Sequence, residues 1–246
     1  TAAGYHALYS NTTGDQNTFF DHPRYRAGRI KAAADRYQML VVCPHGRGPR
    51  EYRGLAEQDV FAVIAEVSRK YPVDRRRIYL CGHSMGGTGA VQIALHHPDV
   101  FAAVAPLAPA YGSPSLIENG NQTPFFWIVG GKDKEAFLQG TQLGVDRMRA
   151  VNPRMRFERL ADADHYGPVQ DFDCVLSWFT EHKLGPPPKA FTFLVDTPLH
   201  GQAYWVRVDG LRSPGRIGKI NARIEGARVV VAPTNVSRFS ILPQKA

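Results

Sequence analysis

Ile78-Tyr79-Leu80-Cys81-Gly82-His83-Ser84-Met85-Gly86-Gly87 is the stretch on which the fold turns. Ile78–Cys81 is apolar and reads as a buried strand, and Gly87–His97 reads as a helix. Between them stands G-x-S-x-G, a pattern that carries weight only at such a strand-to-helix junction. A serine there sits in strained backbone, and its flanking glycines let neighbouring segments approach closely. The hydroxyl is left bare at the strand's C-terminal end, where the helix N-terminus favours developing negative charge. Ser84 is the candidate nucleophile.

Working outward, Tyr5–Tyr9 and Met39–Cys43 read as strands separated by a helix over Tyr25–Tyr37. Leu55–Tyr71 carries Val60, Val63, Ile64 and Val67 at the spacing of one helical face, and Pro72 stops it. Beyond the serine turn, strands Phe101–Leu107, Phe125–Val129 and Met155–Leu160 alternate with helices at about Ala136–Val151 and Val169–His182. This alternation predicts an α/β domain over residues 1–184, a mostly parallel sheet with helices on both faces. Gly185-Pro186-Pro187-Pro188 breaks the pattern, and residues 185–189 read as a stiff linker. The apolar period then becomes two. Phe191–Val195, Ala203–Val208, Gly218–Ile224, Arg228–Ala232 and Val236–Leu242 predict a small antiparallel β-module over residues 190–246.

A serine hydroxyl needs a base, and the base needs an anionic partner that orients it. On a parallel sheet with such a turn the chain order is Ser, then Asp or Glu, then His. Asp133 follows Gly130-Gly131-Lys132 at the end of one strand, and His165 follows the strand that ends near Leu160. Both fall on the rim where Ser84 stands, the rim where open α/β sheets carry their sites. Asp162, Asp164 and Glu135 compete for the role of Asp133. His83, His96, His97 and His182 compete as bases, though His83 should point away from the serine and the others lie near helix ends. The oxyanion hole is expected to use the N–H of Met85 and one from the loop after an earlier strand. His45-Gly46 is a decoy for that loop, because a single helix separates it from the Ser84 strand. Ser10-Asn11-Thr12-Thr13-Gly14 remains, with Asn11 or Thr12 as donor. Ala110–Thr123 is too short for a large lid, which predicts an open cleft. Tyr111 and Tyr166 are candidates to flank an aromatic acyl group, against the plainer role of packing.

Of the 246 residues, 43% are hydrophobic and 21% charged, which is the range of a folded globular protein. No apolar run reaches the about 18 residues that would span a membrane. The formal charge of +8 comes from scattered arginines with one cluster, Arg75-Arg76-Arg77, ahead of a strand. There is no nucleic-acid signature, and a solvated basic surface is the expected reading, with attraction to acidic polysaccharide as the alternative. Cys43, Cys81 and Cys174 show no metal spacing and are expected to be buried free thiols. No cofactor or metal pattern is present. The chain begins at Thr1 without a methionine, the expected mark of a removed leader or upstream region.

Several blocks occur together: Asn17-Thr18-Phe19-Phe20-Asp21, Gly46-Arg47-Gly48-Pro49, Tyr52-Arg53-Gly54, Val73-Asp74 with Arg77–Leu80, the serine turn, and His97-Pro98-Asp99 with Phe101–Pro106. With them the chain resembles α/β-hydrolase esterases of the feruloyl esterase and polyhydroxybutyrate depolymerase-like group, over about Asn11 to Leu184. The resemblance implies Ser84, Asp133 and His165 as the triad, an acyl-enzyme mechanism, and a short-acyl or feruloyl-type ester, free or linked to polysaccharide. It implies secretion or an extracytoplasmic location, with no nucleic-acid or membrane partner. Two departures stand out. Ser10–Gly14 replaces the usual His-Gly and glycines, and the first strands of the usual sheet are absent, so the β-module is expected to cover the edge left open. A prolyl oligopeptidase-like peptidase and a non-catalytic carbohydrate-binding relative are the competing readings.

Overall fold

Alternate residues of each central strand feed two different cores, and this divides the helices between the two faces of the sheet. A computed structural model describes residues 5–11, 27–44, 46–47, 52–110 and 114–243. Its six-stranded parallel sheet has the order β2-β1-β3-β4-β5-β6, built from β1 (Tyr5–Asn11), β2 (Met39–Val42), β3 (Val73–His83), β4 (Ala103–Leu107), β5 (Phe126–Gly130) and β6 (Arg156–Leu160). Tyr79 and Cys81 of β3 pack with Ala103, Ala105, Phe126 and Ile128 under α1 (Ala27–Tyr37) and α5 (Phe172–Thr180). Ile78 and Leu80 pack with Val104 and Trp127 on the opposite face, under α2 (Leu55–Lys70), α3 (Met85–His96) and α4 (Glu135–Val151). Near-continuous apolar runs are what strands covered on both faces require.

The chain steps from β1 outward to β2 and then returns across β1 to β3. The reversal puts a topological switch point between the C-terminal ends of β1 and β3, where α/β sheets open a crevice. Asn11 pairs with Gly82 at that point, one strand away from the serine turn.

β3 is longer than its apolar core suggests, because Arg75-Arg76-Arg77 lies within it. The cluster is tied into the fold. Arg76 N–H and guanidinium frame Asp74 and the Leu184 carbonyl, Leu184 N–H donates to the Arg76 carbonyl, and an Arg77 nitrogen donates to the Thr180 carbonyl. These bonds fasten the end of α5 and the start of the linker to the central strand.

Beyond the linker, two three-stranded antiparallel sheets pack together. One has the order β11-β10-β7, from β7 (Ala190–Val195), β10 (Gly218–Glu225) and β11 (Arg228–Thr234); the other, β12-β9-β8, uses β8 (Gln202–Ala203), β9 (Val206–Leu211) and β12 (Val236–Ile241). Phe193, Val195, Trp205, Val206, Val208 and Ile220 fill a third core between them. The single strand expected over Ala203–Val208 is two strands joined by a Tyr204-Trp205 turn. Tyr204 takes φ 53°, and its N–H donates to Asp99 at 2.8 Å, so a contact with the first domain overrides the strand pattern. Trp205 Nε1 donates to the Pro188 carbonyl at 2.9 Å, which holds the linker against the module.

The expected cover for the sheet's first edge is not what the module provides. Among the described residues its ties run to the 3-10 helix Pro114–Asn121, to the C-terminal end of α3 and to Glu57 of α2, not to β2. Asn119 is the main stitch. It donates to the Leu95 and Leu194 carbonyls and accepts from Leu194 N–H, all within 2.8 Å. Its amide thus pairs the open edge of β7 as a neighbouring strand would. Replacing it with leucine strands three buried backbone groups, so Asn119→Leu is expected to lower unfolding stability by about 2–4 kcal/mol. A urea midpoint unchanged from wild type would reject this role.

Candidate active site

Ser84 is the one residue between the end of β3 at His83 and the start of α3 at Met85. Its backbone turns through φ 56°, ψ −118°, a conformation that costs on the order of 1–3 kcal/mol and has to be held. Ser84 N–H donates to the Leu107 carbonyl at 2.8 Å, its own carbonyl accepts from Thr88 N–H at 3.0 Å, and Thr88 Oγ1 donates to the Ala110 carbonyl at 2.7 Å. A Cβ on Gly82 would lie 2.1 Å from the Gly86 carbonyl oxygen, so the turn closes only around glycine. Ser84 itself stays half-buried and reachable.

The loops after β5 and β6 cross at close range. A Cβ on Gly130 would stand 2.0 Å from the Asp164 carbonyl oxygen. Gly131 N–H and Lys132 N–H donate to the Leu160 and Ala163 carbonyls at 2.7 and 2.9 Å, locking one loop to the other. This crossing sets Asp133 against His165. The Asp133 side chain is fully buried; Oδ1 accepts from Lys134 N–H and Oδ2 lies 2.7 Å from His165 Nδ1. His165 Nε2 lies 2.9 Å from Ser84 Oγ. A carboxylate only accepts, so Nδ1 carries the proton and Nε2 offers its lone pair to the serine hydroxyl. Three side chains far apart in sequence thus form one hydrogen-bonded line that can take a proton from Ser84.

The competing residues are engaged elsewhere. Asp162 is exposed and paired with Lys132, Asp164 accepts from Tyr166 N–H, and Glu135 accepts from Gln139. His182 Nδ1 contacts the Trp178 carbonyl, and His96 and His97 gather at Glu57 at the far end of α3. Met85 N–H opens the first turn of α3, where a helix supplies no acceptor of its own. Asn11 stands beside Gly82 on β1. Thr12 and Tyr111 lie outside the described residues.

His83 bonds to the backbone of His165, a partnership the sequence did not reveal. It is buried, its ring centre is 4.6 Å from that of His165, and its Nε2 is 2.6 Å from the His165 carbonyl oxygen. Burial, with the nearby His165 second, holds its pKa down at about 3, so the ring is neutral and Nε2 carries the hydrogen that the carbonyl accepts. Phe137 of α4 packs at the same imidazole, its ring centre 4.4 Å from that of His165. Tyr166 meets the His165 ring edge-on at 5.6 Å and packs against the core. No spacing in the sequence carries these contacts, because each joins a separate strand or helix end.

Similar arrangements of the backbone occur in known hydrolases. A fluorophosphonate-binding serine hydrolase of Staphylococcus aureus, FphF, is 17% identical, with a TM-score of 0.60 over 73% of this chain and 85% of that one. An S-formylglutathione hydrolase from Agrobacterium tumefaciens is 21% identical, with a TM-score of 0.60 over 75% of this chain and 86% of that one. The feruloyl esterase module from Clostridium thermocellum, solved with sinapinate, is 18% identical, with a TM-score of 0.59 over 72% and 78%. At this identity the likeness establishes the α/β-hydrolase fold. Residues 26–155, more than half of the sequence, match the family model described as an esterase, and they span both the serine turn and Asp133. The chain belongs to the Esterase family of α/β-hydrolases.

Proposed function

We propose that this protein is a carboxylic ester hydrolase working through Ser84, His165 and Asp133. The 2.9 Å contact between His165 Nε2 and Ser84 Oγ carries the reading, supported by the 2.7 Å contact that orients the imidazole. His165 takes the hydroxyl proton as Ser84 Oγ attacks the ester carbonyl carbon. The tetrahedral oxygen gains negative charge, which Met85 N–H and the positive end of α3 favour, with Asn11 or Thr12 for the second donor. The imidazolium gives its proton to the departing alcohol, leaving an acyl-Ser84 ester. Water then repeats the sequence: His165 accepts its proton, the acid leaves, and Ser84 recovers its hydrogen.

For the acyl group we favour an aromatic or short acid. Phe137 and Tyr166 flank the base, and one structural relative is a feruloyl esterase module with sinapinate bound. A panel of nitrophenyl and hydroxycinnamoyl esters, run beside a prolyl anilide, tests class and preference together. Turnover of the anilide alone would reject the esterase reading.

His83 serves as a positioning residue, because its donated hydrogen bond fixes the backbone of His165. Its depressed pKa also has a consequence for stability. Between about pH 6.5 and its folded value near 3, the unfolded chain binds a proton that the folded one refuses. The contribution is therefore present above about pH 6.5 and is lost as pH falls, with a slope near 1.4 kcal/mol per unit. The charge of His165 reinforces this shift, while the hydrogen bond to the His165 carbonyl and then Asp164 oppose it.

Ser84→Ala is expected to lower kcat by about four to six orders of magnitude. Asp133→Asn should cost about 10⁴, because it favours the wrong tautomer. Full turnover in either variant excludes the triad. His83→Leu should reduce kcat about 10- to 100-fold with KM little changed, and His83→Gln, which keeps a donor, should recover part of the loss. In the same glutamine variant the acid-side decline in stability should flatten by one proton's slope; a decline parallel to wild type would show that His83 titrates normally.

A further inference from the structure

A second cluster of polar side chains lies at the other end of α3, about 18 Å along the helix axis from Ser84 at 1.5 Å per residue. Glu57, 1% exposed, comes from the first turn of α2; His96 from the last turn of α3; and His200, with Asp196, from the β-module. One donor atom from each of Glu57, His96 and His200 lies within 4.8 Å of the others. The rings of His96 and His200 stack at 3.8 Å with 15° between their planes. Each ring turns one nitrogen to Glu57, at 2.9 Å for His96 Nδ1 and 3.6 Å for His200 Nε2. Each turns the other nitrogen to Asp196, at 3.4 and 3.5 Å.

Ordinary hydrogen bonding accounts for the contacts of His96 and His97 with Glu57, at 2.9–3.0 Å, but not for those that His200 and Asp196 make. Three of the four contacts exceed the usual donor–acceptor range of about 2.7–3.2 Å. Asp196 Oδ1 and His200 Nδ1 are enclosed and form no hydrogen bond, although they face each other. For each ring to donate at both ends, both would have to be cationic, stacking like charges 3.8 Å apart. A shared cation removes the conflict. Each imidazole then offers a lone pair on its Glu57 side and an N–H on its Asp196 side, the arrangement in which a carboxylate orients a metal-binding histidine. A dication also balances the two carboxylates. Donors held at about 2.0–2.2 Å by one zinc-type ion stand roughly 3.3–3.6 Å apart; the two contacts with Glu57 are 2.9 and 3.6 Å and all three donor atoms lie within 4.8 Å, so binding requires one imidazole to turn out of the stack until both in-plane lone pairs meet the ion.

We propose that Glu57, His96 and His200 form a structural site for a divalent zinc-type ion, with Asp196 orienting both imidazoles and the ion fastening the β-module to the α/β domain. His97, 3.0 Å from Glu57 Oε1, supports the carboxylate from outside the ligand set. The site is remote from the serine, so its role is attachment and not ester chemistry.

The test uses tag-free full-length protein stripped with a chelator and dialysed, then titrated with zinc chloride by calorimetry and checked by elemental analysis. One ion per chain with a micromolar or tighter Kd is expected, together with a rise in Tm. His200→Gln should weaken binding at least 100-fold, and Asp196→Asn about 10- to 100-fold, each with loss of the Tm rise. No uptake by the stripped wild type overturns the proposal without reference to any variant. Equal uptake by His200→Gln overturns it as well, because the ion would then be held elsewhere.

Discussion

Everything at the catalytic rim depends on the backbone of one residue being held where an L-amino acid resists going. Ser84 cannot relax from φ 56° without breaking its bond to the Leu107 carbonyl or pulling its own carbonyl away from Thr88. Both partners belong to buried elements: Leu107 ends β4, and Thr88 lies in α3, every residue of which from Gly86 to His96 is buried. The strain is thus borne by the most densely packed part of the molecule, as a conformation costing about 1–3 kcal/mol demands. In return, the hydroxyl stands clear of both strand and helix, with the positive end of α3 beneath it.

The base reaches that hydroxyl through a different constraint. Asp133 and His165 lie on loops that can cross only because Gly130 has no side chain to meet the Asp164 carbonyl. The crossing shields the carboxylate completely: one oxygen takes the Lys134 N–H, the other faces the imidazole, and screening by water does not weaken the pair. His83 closes the arrangement from below. A neutral histidine suits that position: a charged one would repel an imidazolium at His165 in the proposed cycle, whereas the neutral ring donates to the backbone and stays out of the charge balance.

What the sequence made legible followed from periodicity and from chain order. The strand–helix alternation located five helices and six parallel strands among the described residues to within a few positions, since strands buried on both faces leave continuous apolar runs. Asp133 and His165 could be named because strand ends on a parallel sheet share one rim. The pairings that failed to show were those between segments with no regular spacing. Tyr204 abandons its strand for a bond to Asp99, 105 positions away. An expectation that His83 points away from the serine says nothing of what the loop after β6 places beside it. The arginine cluster looked like solvent-facing charge, and only the tertiary structure supplies the carbonyls of Thr180 and Leu184 that it binds.

The same reasoning explains why Glu57, His96 and His200 gave no signal as a group. Metal patterns are readable when two donors share a turn or a helix face; here the donors come from three elements, the nearest two 39 positions apart. A motif spread in this way needs the β-module in place, and the module is also held by Asn119 of the 3-10 helix against β7 and by Asp99 at the Tyr204 turn. Attachment is therefore distributed over the end of α3 opposite the serine. A rigid buried helix joins the two ends, but no side chain of the cluster reaches the catalytic rim, so the module can be secured firmly without imposing geometry on the strained turn. The separation lets one end of α3 serve stability while the other keeps the conformation that chemistry requires.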